Sequence, residues 1–207
     1  MEKSLLHKAL AVPLLLQNKE KTMEYIVFLD RDGVINVDSP EYIKNESEFE
    51  FIPKSPEAIA LLTQNGFNVI VITNQSLIGR KMVTQKILDA IFKKMKNGIK
   101  KAGGDIKDIF FCPHTPQDNC SCRKPNPGLI IEAQKKYQID LNQSFMVGDS
   151  AKDIECARNA GCSKALLVET GNGLKAGQQL FEKGIIPDFT GKNLYETALW
   201  IINSVKH

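Results

Sequence analysis

The sequence is short of three things. Net charge is low, since 27 Lys and Arg against 24 Asp and Glu leave only +3. That is far from the strongly basic footprint of a dedicated nucleic-acid binder. Long apolar runs are missing too. The longest near the start, residues 9–16, is interrupted by Pro13, and a membrane helix needs about 20 apolar residues. Internal repeats and low-complexity segments are also absent, so neither a solenoid nor a disordered scaffold is indicated. What remains is a chain of 207 residues, 43% apolar and 25% charged, enough for one domain with a buried core. Five cysteines are an odd number, and three of them fall between 112 and 122. A disulfide framework is therefore a poor reading and metal binding a better one.

Residues 1–22 read as a leader apart from the domain at 23–207. They carry Lys3, Lys8, Lys19 and Lys21 against Glu2 and Glu20, which accounts for +2 of the net charge. The apolar stretch at 9–16 is followed by Gln17-Asn18-Lys19-Glu20-Lys21 rather than a small-residue cleavage site, so it does not read as an export signal. Met23 directly precedes the first predicted strand and is a candidate natural start.

From there the chain alternates short apolar runs with helical patterns. Strands are expected over 25–29, 69–72, 109–111, 145–147 and 165–168. Helices are expected from Ser55, with Ser55 as cap and Asn65-Gly66 as stop; over 84–101, with Ile87, Ile91, Met95 and Ile99 on one stripe; from Pro127-Gly128; over 153–159, closed by Gly161; and over 194–205. This alternation predicts an α/β fold, a mainly parallel sheet sandwiched between two helix layers.

In such sheets ligands bind beyond the carboxyl ends of the strands. Three strands deliver polar groups there: Asp30-Arg31-Asp32-Gly33, Thr73-Asn74 and Gly148-Asp149. Each alone reads as an ordinary turn, but three together with Arg123-Lys124-Pro125 do not. Two carboxylates at i and i+2 can share one pocket, one attacking while the other handles protons. A second constellation, Cys112-Pro113-His114 with Cys120-Ser121-Cys122, supplies four ligands of the kind that close a tetrahedral zinc site. All four positions would be filled, so the zinc would be structural, pinning the loop beside Lys124. Cys156 and Cys162 read as small buried hydrophobes.

Asp30-x-Asp32-Gly33, Thr73-Asn74, Lys124 and Gly148-Asp149-x-x-x-Asp153 resemble, in order, the four motifs of the haloacid dehalogenase superfamily of aspartate-nucleophile phosphatases. The resemblance covers nearly all of 23–175. It implies that Asp30 attacks phosphorus to give an aspartyl-phosphate, and that Asp32 protonates the leaving oxygen and then deprotonates water. Lys124, Thr73 and Asn74 would hold the phosphoryl oxygens, with Gly33, Gln75 and Ser76 in the same binding segments. Mg²⁺ would sit on Asp30, Asp149 and the backbone carbonyl of Asp32. Asp153 would orient Lys124 or metal-bound water, and Arg123 would grip an anionic part of the substrate.

Only 40 residues separate Asp32 from Thr73, which leaves no room for a large cap domain. Asp-Arg-Asp-Gly-Val-Ile-Asn at 30–36, Thr-Asn-Gln-Ser at 73–76 and the Cys/His loop narrow the resemblance to the heptose-bisphosphate and histidinol-phosphate phosphatase subfamily. Asn126-Pro127-Gly128 and Val168-Glu169-Thr170-Gly171 favour its heptose branch. Two departures stand out: Leu77 where that branch often carries glycine, and Ser150 where it often carries a basic residue. The resemblance implies a cytoplasmic, monomeric enzyme taking a phosphorylated sugar, with histidinol phosphate as the alternative substrate. Nucleic acid is disfavoured. The eight basic residues over 80–101 read as the solvated face of a helix, and the acidic stretch 38–50 beside the pocket would repel a polyanion.

Overall fold

The structure, a computed structural model, describes residues 24–205; the leader expected at 1–22 and the candidate start at Met23 lie outside them. Six strands form one parallel sheet: β1 (Ile26–Leu29), β2 (Asn68–Asn74), β3 (Asp108–Cys112), β4 (Ser144–Gly148), β5 (Lys164–Val168) and β6 (Phe189–Gly191), in the order β3-β2-β1-β4-β5-β6. The chain winds outward from β1 in both directions, so the order reverses at β1 and β4, where a crevice opens beyond the strand ends. β1 and β4 are buried at every position, as a strand covered on both faces requires.

Six helices cover the sheet: α1 (Ser55–Gln64), α2 (Gln85–Lys101), α3 (Gly128–Tyr137), α4 (Ala151–Ala160), α5 (Gly173–Glu182) and α6 (Leu194–Ser204). One core packs α1, α2 and α6 against Val27, Leu29, Val69, Val71 and Val147. The other packs α3, α4 and α5 against Phe28, Ile70, Ile72, Met146 and Leu167. Alternate residues of β1 thus enter opposite layers, and the expected three-layer α/β architecture stands.

Several details differ from the sequence reading. Ser55 does not cap α1. Lys54 holds the cap position in a left-handed conformation, and the Ser55 hydroxyl instead donates to the Ile35 carbonyl. On α2 the buried stripe is Leu88, Ile91, Phe92, Met95 and Ile99, while Ile87 is exposed. Thr84 is the cap, its hydroxyl accepting from Ile87 N, so the helix begins one residue later than expected and Ile87 falls in its exposed first turn. α5 and β6 were not anticipated; together they extend the sheet beyond β5.

Candidate active site

Asp30 follows β1, and its neighbours are fixed by the strands on either side. The Asp30 amide donates to the Val147 carbonyl of β4 at 3.0 Å. Lys124, 2% exposed, reaches Asp30 at 2.9 Å and Asp153 at 2.6 Å and donates to the Ile72 carbonyl at 2.8 Å. Although burial disfavours its charge, Asp153 and Asp30 hold the ammonium well above its ordinary value. Asp153 is buried in the first turn of α4. Its second oxygen accepts from the amide and the hydroxyl of Ser150 at 3.0 and 2.6 Å, a capping box. One carboxylate therefore both starts a helix and braces the lysine.

Asp149, at the end of β4, lies in a close cradle. Gly33, at φ 79°, and Gly171, at φ 58°, approach its carboxylate so tightly that a Cβ at either position would collide with it. The Asn172 amide donates to Asp149 Oδ2 at 2.8 Å, and the Asn172 side chain donates to Asp38 at 3.0 Å. Asp30, Asp149 and Asp153 bring carboxylate oxygens within 4.8 Å of one another. Burial, relieved by Lys124 but reinforced by Asp153 and Asp32, pushes Asp30 up to about 7. Burial with the charges of Asp30 and Asp153 pushes Asp149 up to about 8. Such mutual repulsion among hard oxygen donors is what a small divalent cation removes.

Asp32 is placed differently from its neighbour. Its carboxylate turns to Arg31, whose guanidinium is 1% exposed and contacts it at 2.6, 2.8 and 3.1 Å. Asn36 and Gln75 each donate to it at 3.0 Å. Despite burial, Arg31 and these donors hold Asp32 below the usual carboxylate range. Its carboxylate is not among the three clustered oxygens, which leaves only its backbone carbonyl for the ligand role expected above.

Thr73, Asn74, Ser76, Arg123, Lys124, Asp149 and Asp153 line one open cavity of about 630 Å³ with Asp30 and Asp32. Two expected phosphate-binding residues do not. Gln75 is fully buried and spends its side-chain amide on Asp32 and Thr73. The Gly33 amide donates to the Asn36 carbonyl, and its carbonyl accepts from Thr170. Asn74 clamps the lysine segment: its side chain accepts from Lys124 N at 3.1 Å and donates to Lys124 O at 3.3 Å.

The cavity wall also holds Asp38-Ser39-Pro40 and Tyr42, part of the stretch expected beside the pocket, and three residues the sequence reading missed: Arg80, Lys152 and Lys175. Arg80 was assigned to a solvated helix face; it lies ahead of α2, in the turn that follows Ser76, and faces the cavity instead.

The cysteine loop closes on itself as expected from its spacing. Sulfur–sulfur separations among Cys112, Cys120 and Cys122 are 3.5, 3.2 and 3.4 Å, and His114 Nδ1 lies 3.6 and 3.3 Å from Cys112 and Cys122. A tetrahedron around zinc has edges of about 3.5–3.8 Å, given metal–ligand bonds of about 2.0–2.3 Å. The four donors are thus nearly in coordination distance of a common centre. The loop is stitched to the site: the Cys112 carbonyl accepts from Gln75 N, and the His114 carbonyl accepts from Arg123. Cys156 and Cys162 are buried, and burial raises their thiols to about 12 and about 11.

Comparison with known proteins agrees with this geometry. A family model described as HAD-hydrolase-like matches residues 121–197. A protein of Pseudomonas aeruginosa named D-glycero-beta-D-manno-heptose-1,7-bisphosphate 7-phosphatase is 43% identical over 164 residues, 79% of this chain and 92% of its own. The crystal structure of D,D-heptose 1,7-bisphosphate phosphatase from Bordetella bronchiseptica, complexed with magnesium and phosphate, superposes with a TM-score of 0.81 at 38% identity, covering 87% of this chain and 99% of that one. The D,D-heptose 1,7-bisphosphate phosphatase of Burkholderia thailandensis gives a TM-score of 0.66 at 32% identity, covering 86% and 99%. The chain belongs to the HAD-like hydrolase family and is, as its relatives are, a phosphoric monoester hydrolase.

Proposed function

We propose that this enzyme removes the 7-phosphate of D-glycero-β-D-manno-heptose 1,7-bisphosphate. The observation that carries the reading is the convergence of Asp30, Lys124, Asp149 and Asp153 at the reversal point of the sheet, in a chain 43% identical to a phosphatase of that name. Asp30 is the nucleophile: its carboxylate is held by Lys124 and by the Arg31 amide at 2.7 Å, and it opens onto the cavity. Attack on phosphorus breaks the bond to the sugar oxygen and leaves the phosphoryl group on Asp30. Clasped by Arg31, the Asp32 carboxylate is ionised; turned away from Arg31 toward the cavity it would take up a proton from solvent, give it to the departing oxygen, and then take one from the water that releases phosphate. Lys124, with Thr73, Asn74 and Ser76, stabilises the phosphoryl oxygens.

The clustered carboxylates fit Mg²⁺, which Asp30 and Asp149 would hold with the Asp32 carbonyl; bound there it supplies positive charge against the phosphoryl oxygens. Asp153 acts on Lys124, given its 2.6 Å contact. Cys112, His114, Cys120 and Cys122 fit a structural Zn²⁺, four soft or borderline donors leaving no open position. A cluster of unbridged thiols suits a reducing compartment, which supports a cytoplasmic location. Among the described residues no helix is long and apolar enough to cross a membrane. The test compares kcat/KM for the heptose bisphosphate and for histidinol phosphate. A strong preference for the former is expected; a preference for the latter overturns the substrate and leaves the chemistry intact.

A further inference from the structure

Charge is segregated along this chain. Residues 80–101 hold eight basic residues against Asp89 alone, whereas the rest of the chain after residue 22 holds 15 basic residues against 21 acidic ones. Elsewhere lysines are met by acids, as Lys44, Lys107, Lys136, Lys164 and Lys183 are. By contrast Lys81, Lys86, Lys93, Lys96, Lys100 and Lys101 are exposed, with no acidic group within ion-pair distance among the described residues. Asp89, the one acid of α2, instead accepts from Gln85 at 2.7 Å.

The cations are ordered on the helix. Lys86, Lys93 and Lys100 recur every seven residues, close to two turns, so they form one stripe about 21 Å long. Lys93, Lys96 and Lys100 border a single shallow cavity of about 440 Å³. Lys96 and Lys100, four residues apart, repel each other, a cost the fold leaves uncompensated. The far side of α2 is the buried stripe described above. Lys94, about 100° round the helix from Lys93, holds the carbonyls of Glu46 and Phe49, so the acidic segment packs on a flank and not on the stripe. Apolar side chains stay exposed at the start of the helix, Met82 at 45% and Ile87 at 36%.

The sequence ahead of residue 24 has the same two properties, lysines at 8, 19 and 21 around the apolar residues 9–16. It joins the domain at Glu24, which contacts Lys107 at 3.5 Å, at the end of the sheet where α2 finishes. A cationic helix face with exposed apolar residues beside it matches a surface that is negative outside and apolar within. Nucleic acid would reward the lysines but not the apolar residues. We propose that the exposed face of α2, together with the basic and apolar residues 1–22, rests on an anionic lipid bilayer and holds the enzyme reversibly at a membrane surface. Neither part suffices alone, since lasting attachment without a spanning helix takes two weak signals acting together.

The test sediments the full chain with vesicles of pure phosphatidylcholine and of phosphatidylcholine mixed equally with phosphatidylglycerol. Binding to the anionic vesicles only, falling as salt is raised, is expected. The combined variant Lys86→Gln, Lys93→Gln, Lys96→Gln and Lys100→Gln should bind them at least about tenfold more weakly. Its melting and its aryl-phosphate turnover should stay as in the parent, because glutamine keeps the helix and the site is untouched. Lys→Arg at the same four positions should retain binding, and removal of residues 1–22 should weaken it. Equal binding to both kinds of vesicle, or full binding by the glutamine variant, overturns the proposal. Unchanged binding after removal of residues 1–22 overturns the part given to them. A DNA duplex bound more tightly than the anionic vesicles through the same lysines makes nucleic acid the partner and overturns the membrane.

Discussion

Replacing Asp153 by Asn separates two roles that one carboxylate could have. The side chain is 0% exposed and makes two kinds of contact, an ion pair to Lys124 at 2.6 Å and hydrogen bonds from the Ser150 amide and hydroxyl. Asn keeps the shape and an acceptor for Ser150 but removes the charge opposite Lys124. Truncating one partner of a buried pair costs about 3–5 kcal/mol. Here Asp30 still faces the ammonium at 2.9 Å, and the bonds from Ser150 survive on the remaining oxygen, so about 2 kcal/mol is a reasonable loss. For a domain of this size that is roughly 4–8 °C in Tm. The lysine should then lean on Asp30 alone, tying up the nucleophile, and kcat should fall by about ten- to thirtyfold if most of a similar energy is lost from the transition state. Thermal melts and aryl-phosphate turnover, both across a Mg²⁺ titration, provide the assay. Should added Mg²⁺ restore full activity, Asp153 serves the metal rather than the lysine. Unchanged Tm and kcat would refute the reasoning altogether.

Three further outcomes follow from other parts of the molecule. Gly33→Ala places a methyl group on the Asp149 carboxylate at a positive φ; a loss of about 1–3 kcal/mol in stability and a clear rise in the Mg²⁺ concentration for half-activity are expected, checked by melts and metal titration. Stripping zinc with a chelator should lower Tm and activity together, with zinc but not magnesium restoring them; a metal held a thousandfold above its Kd contributes about 4 kcal/mol. At Asp188 partial burial is outweighed by the Ala165 amide and by Lys164 and Arg158, so the carboxyl titrates below its ordinary value of 3.8. A lowered acid stabilises the fold above that ordinary value and ceases to do so as pH falls through the folded-state value. Asp188→Asn should therefore cost about 1 kcal/mol at neutral pH, after solvent screening, and the gap to the parent protein should close below about pH 4 in pH-dependent melts.

The motif residues were legible because their strands were. Runs such as residues 26–29 and 69–72 are apolar at every position, and each ends on the polar group that acts. The Cys/His loop was legible because ligand chemistry dictates both residue type and spacing. α5 was missed because Gly173 and Gly177 interrupt its pattern and Leu174 and Phe181 face outward; β6 was missed because three residues, Phe-Thr-Gly, carry almost no periodic signal. Arg31 reads as a surface residue, and only the folded chain shows it buried against Asp32. Gly171 and Asn172 reach Asp149 across more than twenty residues of sequence, a contact set by tertiary packing alone. Lys152 and Lys175 look like ordinary solvated charges until α4 and α5 bring them to the same cavity.

The claim that Asp30 carries the reaction has a direct measurement. Enzyme mixed with substrate and Mg²⁺ is quenched in acid within one turnover and digested, and the peptide bearing residues 24–36 is weighed by mass spectrometry. One added phosphoryl group on Asp30, formed and lost at rates consistent with kcat and absent from Asp30→Asn, is the expected result. Normal phosphate release by Asp30→Asn would contradict the account.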